Sequence, residues 1–312
     1  MSRKAYVTLL TKPSYLAGTL VLDNDLRVVG SKYPLVVMIT PGLGQDARNV
    51  LVKRGIPIID VETLQPAEGT HTLSAHDQRF ADTWTKLRGF ELVQYDRVIM
   101  LDCDMIVKRN MDELMETELP KDEIAAVHVC ACNPRKLKHY PADWIPENCA
   151  HTAVQNPTAL PPVPTATSPR PYGQLNGGLV ILNPSKELAE ALVHFLNTYE
   201  RISEFSFPDQ DLLTVFFEGK WRPVSWRYNA LRTLRYVHPN EWSDDVVSCV
   251  HYILPDKPWQ SRNTPEAVVQ QLGVVNKWWW DHFDRLAEEV QRDDPEGWKL
   301  VTAHVDNTPA SS

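Results

Sequence analysis

A chain of 312 residues, 43% hydrophobic and 23% charged, has the make-up of a soluble globular protein, and at this length it can bury about three quarters of its unfolded surface. Its net charge of -8 argues against a nucleic-acid or anionic-membrane partner. No stretch reaches the roughly 20 apolar residues of a membrane span, which excludes a transmembrane class.

The amino terminus, Met1-Ser2-Arg3-Lys4, leads directly into a strand-like run and lacks the apolar length of a secretory signal, so cytoplasmic residence is the default expectation. Apolar runs then alternate with helical patterns. Residues 5–10, 35–40, 56–61, 97–102 and 124–129 read as strands, and 15–26, 45–54 and 79–94 as helices, an order that predicts an α/β fold with a parallel sheet covered on both faces. Ligands in such sheets bind beyond the carboxyl ends of the strands.

The run Arg97-Val98-Ile99-Met100-Leu101 reads as a central strand, and Asp102-Cys103-Asp104 interrupts it. In an extended chain residues i and i+2 share a side, so the spacing predicts two carboxylates facing one way at the strand's end, where a hard divalent cation offsets their burial. A pair of exposed turn aspartates is the competing reading. Arg79 and Lys86 are seven apart on the expected helix, with Thr83 between them; they form a diphosphate clamp or a solvated basic face.

From 130 to 174 the rhythm breaks. Pro157, Pro161, Pro162, Pro164, Pro169 and Pro171 predict an insertion with a poorly ordered middle. Five cysteines, an odd number, fit reduced thiols. Cys130, Cys132 and Cys149 lie near His128, His139 and His151, yet the spacing Cys-x-Cys-x16-Cys matches no standard zinc pattern, so small buried thiols are expected.

Regular structure resumes with a strand from Leu175-Asn176-Gly177-Gly178, then helices over 185–199 and 209–218. Asp209, Gln210 and Asp211 follow Pro208 at a helix start, where Asp209 either caps the helix or faces a sugar ring. A strand over 246–250 delivers His251, which can add a nitrogen ligand to two carboxylates and so favour manganese over calcium. Beyond Pro265, Val268, Leu272, Val275, Trp279, Phe283, Leu286 and Val290 recur at helical intervals, predicting an amphipathic carboxyl-terminal helix in which Trp278, Trp279 and Trp280 pack.

Together these pieces resemble glycosyltransferase family 8, the glycogenin and galactinol synthase group, from Tyr6 to Trp259. The resemblance is carried by Leu9, Thr11 and Tyr15, by Thr85-Lys86-Leu87, Leu101-Asp102-Cys103-Asp104, Leu175-Asn176-Gly177-Gly178 and Asp209-Gln210-Asp211, and by His251 with Lys257-Pro258-Trp259. It implies a Rossmann-like GT-A fold with a mainly parallel central sheet and a carboxyl-terminal helix. It also implies a UDP-sugar donor, Mn2+ (or Mg2+) and retention of anomeric configuration. The implied organisation is one domain over 1–304, divided into a nucleotide-binding half (1–129), the insertion (130–174), a sugar and acceptor half (175–260) and a helical segment (261–304), with a disordered tail at 305–312.

Residue by residue, the resemblance makes Asp102, Asp104 and His251 the metal ligands. Leu9, Thr11 and Tyr15 fall on the uridine pocket, Lys86 and Lys257 on the diphosphate side, where the helical spacing to Lys86 adds Arg79, and Asn176, Asp209 and Gln210, with Lys257, on the reaction side. Cys103 and Gly177 also fall on donor-contacting positions, where the family usually has alanine or glycine and a serine or alanine. Leu254 stands where glycogenin has glycine, and Lys12 where it has asparagine.

Two groups of the family compete. Tyr236 lies at a suitable distance after Tyr228-Asn229 for glycogenin-like self-glucosylation. The insertion, His238-Pro239 and His251-Tyr252 resemble galactinol synthase, which transfers galactose from UDP-galactose to myo-inositol, and no glycogen-synthase-binding region is expected after the helix. The reading is therefore galactinol-synthase-like, with a polyol or sugar hydroxyl as acceptor, no nucleic acid, no membrane, and a homodimer left open. A haloacid-dehalogenase-like phosphatase shares the Asp-x-Asp motif but carries it on a first strand, and a non-catalytic UDP-sugar-binding protein is the remaining alternative.

Overall fold

The computed structural model describes residues 3–72, 80–262 and 267–306. Its strands are β1 (Lys4–Leu10), β2 (Leu35–Ile39), β3 (Ile58–Asp60), β4 (Arg97–Leu101), β5 (Met105–Val107), β6 (Ile124–His128), β7 (Leu175–Leu182), β8 (Trp221–Pro223), β9 (Ala230–Leu231) and β10 (Cys249–His251). Its α-helices are α1 (Leu16–Val28), α2 (Gln45–Lys53), α3 (Lys186–Thr198), α4 (Pro208–Phe216), α5 (Leu234–Val237), α6 (Ala267–Asp293) and α7 (Pro295–Thr302).

Seven strands form one sheet in the order β3-β2-β1-β4-β7-β6-β8, and β5-β10-β9 form a second, smaller sheet. In the large sheet every pairing is parallel except those of β7. Side chains alternate between two cores, as a strand buried on both faces requires: Val98 and Met100 join one core, Ile99 and Leu101 the other. Because β7 runs antiparallel to β4, with Leu179 opposite Leu101, its first residues lie beside the carboxyl end of β4. Asn176 to Gly178 are thereby brought to the edge where ligands bind in such sheets.

Three local expectations are corrected. The helix expected over 79–94 is a 3-10 stretch, Thr83–Glu91. The strand expected over 246–250 is the shorter β10, ending on His251 itself. The proline-rich insertion is tied down along its middle: Trp226 Nε1 donates to the Pro157 carbonyl at 3.0 Å, and the His128 ring lies 2.7 Å from the Pro162 carbonyl. Prolines that cannot donate still offer carbonyls, and core side chains take them.

α6 buries Leu272, Val275, Trp279, Phe283, Leu286 and Val290 against α1 and the turn at Trp259. Packing extends to Val305, which is buried, and to Asp306, whose N–H donates to the Trp259 carbonyl at 2.7 Å; residues 307–312 of the expected tail lie outside the described residues. Among the described residues no helix is long and apolar enough to cross a membrane.

Candidate active site

β4 stops at Leu101 because the chain changes sheets there. The Asp102 N–H donates a last bond to the Gly178 carbonyl at 2.9 Å, the backbone turns through Cys103 and Asp104, and β5 begins in the second sheet. The two carboxylates therefore meet across a turn, and the extended i, i+2 geometry expected from the sequence does not apply. The turn lies directly on α1: a Cβ at Gly18 would overlap the Cys103 carbonyl, so a helix and a turn approach here with no side chain between them.

The antiparallel pairing of β10 with β5 sets His251 opposite Met105 and aims its ring at this turn. His251 Nε2 lies 3.5 Å from Asp102 Oδ2 and 3.4 Å from Asp104 Oδ1. One donor atom from each of the three residues lies within 4.8 Å of the others, so the group could hold a single metal ion. The fit is supported from behind. The Nδ1 of His251 lies 2.9 Å from Asn229 Oδ1, while Asn229 Nδ2 donates to Asn176 Oδ1 at 2.8 Å. That chain holds the ring in place, and with a metal bound it would keep a proton on Nδ1 and offer the Nε2 lone pair as a ligand.

Two lysines close the same space. Lys257 Nζ bonds Asp104 and, at 2.8 Å, the Tyr252 carbonyl; Lys86 Nζ bridges Asp102 Oδ1 at 2.6 Å and Asp209 Oδ2 at 2.9 Å. Burial opposes the charge on Asp104, but Lys257 and His251 beside it outweigh burial and hold its carboxyl below the usual range. For Asp102 burial wins over Lys86, and its carboxyl is raised. Lys86 itself is held protonated, since Asp102 and Asp209 outweigh its burial. Burial and the two aspartates push the Cys103 thiol up, so it stands neutral.

A cavity of about 240 Å3 opens over this cluster. Its wall includes Leu9, Thr11, Tyr15, Lys86, Asp102, Cys103, Asp104, Asn176, Gly177, Asp209, Gln210, His251 and Lys257, which brings together the sequence-predicted residues with one exception: Arg79 lies outside the described residues. Gln210 Oε1 accepts from Asn176 Nδ2 at 3.2 Å and from the Gly177 N–H at 3.3 Å. At Gly177 a Cβ would lie 2.9 Å from Asp209 Oδ2, which accounts for the absence of a larger residue there.

Two residues of the site were missed in the sequence. Asn229, fully buried, links His251 to Asn176; along the chain it stands only as the second residue of the Tyr228-Asn229 segment. Asp82 accepts from Thr11 Oγ1 at 3.0 Å and pairs with Lys12 at 2.8 Å on the cavity wall, and no local pattern marks it.

The sequence pattern described as glycosyl transferase family 8 matches residues 6–263. Among curated proteins, the chain is 29% identical to galactinol synthase 1 of Solanum lycopersicum over 283 residues, covering 90% of this chain and 81% of that protein. It is 30% identical to galactinol synthase 5 of Arabidopsis thaliana over 285 residues, with the same coverage of 90% and 81%. Among solved structures, the galactosyltransferase LgtC in complex with donor and acceptor sugar analogues superposes with a TM-score of 0.57 at 16% identity, over 93% of this chain and 99% of that one. The glycosyltransferase GlyE of Streptococcus pneumoniae superposes with a TM-score of 0.56 at 15% identity over 99% of this chain; this chain spans 66% of the length of that one. These likenesses establish the GT-A fold.

Proposed function

The chain belongs to glycosyltransferase family 8, and from that premise we propose that it is a retaining hexosyltransferase that moves galactose or glucose from a UDP-sugar to a hydroxyl of a small acceptor such as myo-inositol. The observation that carries the proposal is the convergence of Asp102, Asp104 and His251 with Lys86 and Lys257 on one cavity. Two carboxylates with one imidazole suit Mn2+ better than Mg2+, which prefers oxygen ligands throughout. When bound, such an ion supplies positive charge against the oxygens of the departing diphosphate.

The remaining work falls to the protein's own groups. Lys86 and Lys257, which neutralise the aspartates in this structure, add charge on the leaving-group side, where it is worth most as the anomeric bond breaks. Leu9, Thr11 and Tyr15 receive the uridine. Gln210 is oriented through its oxygen by Asn176 and Gly177, and it presents its amide nitrogen to the sugar. The Asp209 carboxylate, 2.9 Å from Lys86, stands against the positive charge that develops on the sugar. Two routes give retention: attack by the acceptor from the leaving-group face, or a covalent sugar ester on Asp209 that the acceptor then opens.

A separate acceptor is favoured over self-glucosylation, because Tyr236 is half-buried and is not among the residues lining the cavity. The names of the curated relatives point the same way. The test is UDP release from UDP-galactose and from UDP-glucose in Mn2+, each with and without myo-inositol, followed by intact mass of the protein. Release from UDP-galactose that rises with inositol supports the galactinol-synthase-like reading. Hexose added to the protein's mass would replace it with the self-glucosylating one, and tight donor binding without turnover would leave a binding protein.

A further inference from the structure

The insertion carries a second cluster of metal donors, separate from the carboxylate site. Cys130 and Cys132 follow β6, Cys149 lies 17 residues further on, and the fold brings His238, just past α5, into their midst. His238 Nε2 lies 3.1 Å from Cys132 Sγ, 3.6 Å from Cys130 Sγ and 3.7 Å from Cys149 Sγ, and the four donor atoms all lie within 4.8 Å of one another. Around one tetrahedral Zn2+, with sulfur at about 2.3 Å and nitrogen at about 2.0 Å, the sulfur-to-nitrogen edge is roughly 3.5 Å. The observed separations straddle that edge.

The histidines adjacent in sequence do not take part. Both ring nitrogens of His151 are engaged, Nδ1 with Glu241 at 2.9 Å and Nε2 with the His128 carbonyl at 3.1 Å, and His128 faces the Pro162 carbonyl. Thiols that served only as small apolar side chains would have no reason to converge on one imidazole nitrogen. We propose that Cys130, Cys132, Cys149 and His238 bind one structural Zn2+. Three thiolates and one imidazole form a closed set with no vacant position, the pattern of structural rather than catalytic zinc, and donors this close serve one ion rather than a two-iron cluster. Each thiol binds as thiolate and gives its proton to solvent.

The site has a mechanical consequence. It ties the insertion at two points to the segment after α5, and the small core beside it contains Val129, Trp144 and Phe207. Phe207 stacks on Trp144, with ring centres 5.4 Å apart and planes 8° apart, and it immediately precedes Pro208, Asp209 and Gln210 of α4. The ion would hold the insertion's wall of the cavity, which Cys130 itself lines, in place from outside the Asp102, Asp104 and His251 cluster.

The test uses the full chain, purified without chelators from zinc-supplemented medium. Metal content is measured by plasma mass spectrometry, and zinc release is followed with a chromogenic chelator as thiols are titrated by an organomercurial. One equivalent of zinc per chain is expected, released as three thiols react, and retained in the variant Asp104→Asn. The variants Cys149→Ser and His238→Asn are expected to lose it. Because either may fold poorly, the zinc absorption edge of the unmutated protein is measured as well, where a shell of three sulfurs at about 2.3 Å and one nitrogen is expected. A chain without zinc that takes none up from added Zn2+, a mass two hydrogens low from a disulfide among these cysteines, or zinc lost in Asp104→Asn but kept in His238→Asn would overturn the proposal.

Discussion

The side-chain oxygen of Asn229 lies 2.9 Å from Nδ1 of His251, with both residues buried. The amide sets the tautomer of the ring and so decides which nitrogen faces Asp102 and Asp104. Replacing Asn229 by alanine leaves Nδ1–H and Asn176 Oδ1 without this partner and lets the ring turn. We expect the Mn2+ concentration for half-maximal activity to rise by about 10- to 100-fold, the range that supporting residues of metal ligands command. A titration of activity against Mn2+ checks this, and an unchanged midpoint would show that Asn229 does not orient the ring.

Gly178 sits in β7 under the same histidine. A Cβ there would overlap the His251 imidazole and lie 3.0 Å from Asn176 Oδ1. Neither can retreat within a packed core, so Gly178→Ala should cost about 1–3 kcal/mol of stability and displace His251. Denaturation and Mn2+ activation measured on the same preparation would read both effects; normal metal activation would mean the ring has room to move.

Leu254 has φ +81°, in the left-handed region that favours glycine, where the family resemblance has glycine in glycogenin. The strain of a side chain in that region is about 1–2 kcal/mol, and the extra freedom of glycine in the unfolded chain returns about 0.5–1 of it. Leu254→Gly should therefore be at least as stable as the parent, while the β-branched Leu254→Val should be clearly less stable. Melting temperatures of the three proteins rank them, and valine above glycine would contradict the strain.

Asp211 accepts the N–H groups of Ser206 at 2.9 Å and Phe207 at 2.8 Å, yet burial outweighs these bonds and pushes its carboxyl from 3.8 up to about 6. A carboxyl raised in the folded state holds its proton longer there than in the unfolded chain, so its contribution is full below about 4 and is lost as pH rises through 6. The full shift corresponds to about 3 kcal/mol, and because the side chain is only half-buried, solvent screening trims this to about 1–2 kcal/mol. Asp211→Asn, which carries no such charge, should gain on the parent between pH 4 and pH 7 in urea denaturation. A constant gap across that range would rule out the raised carboxyl.

Much of the frame was legible along the chain. The strands beginning at Lys4, Leu35, Arg97, Ile124 and Leu175 announce themselves as apolar runs, because a strand covered on both faces has no polar side to show. The helix from Ala267 shows its stripe for the opposite reason, since one of its faces meets water. The short strands β5, β8 and β9, of two or three residues, leave no such trace. Lys86 was legible as a cation, but its bridge between Asp102 and Asp209 was not, because the three residues come from separate stretches of chain.

By itself the sequence determined which chemistry is available: two aspartates at a strand end, a histidine closing another, lysines beside them, and three thiols clustered in an insertion. Hydrophobic periodicity and side-chain type are local properties, and they survive in a one-dimensional reading. Only the tertiary structure decided the partners. The antiparallel register of β5 with β10 brings His251 to the aspartates, the close approach at Gly178 seats the ring, and the return of the chain after α5 places His238 among cysteines about a hundred residues earlier. Those contacts depend on which strands pair and in what register, and that is settled by burial of the whole chain at once rather than by any one stretch.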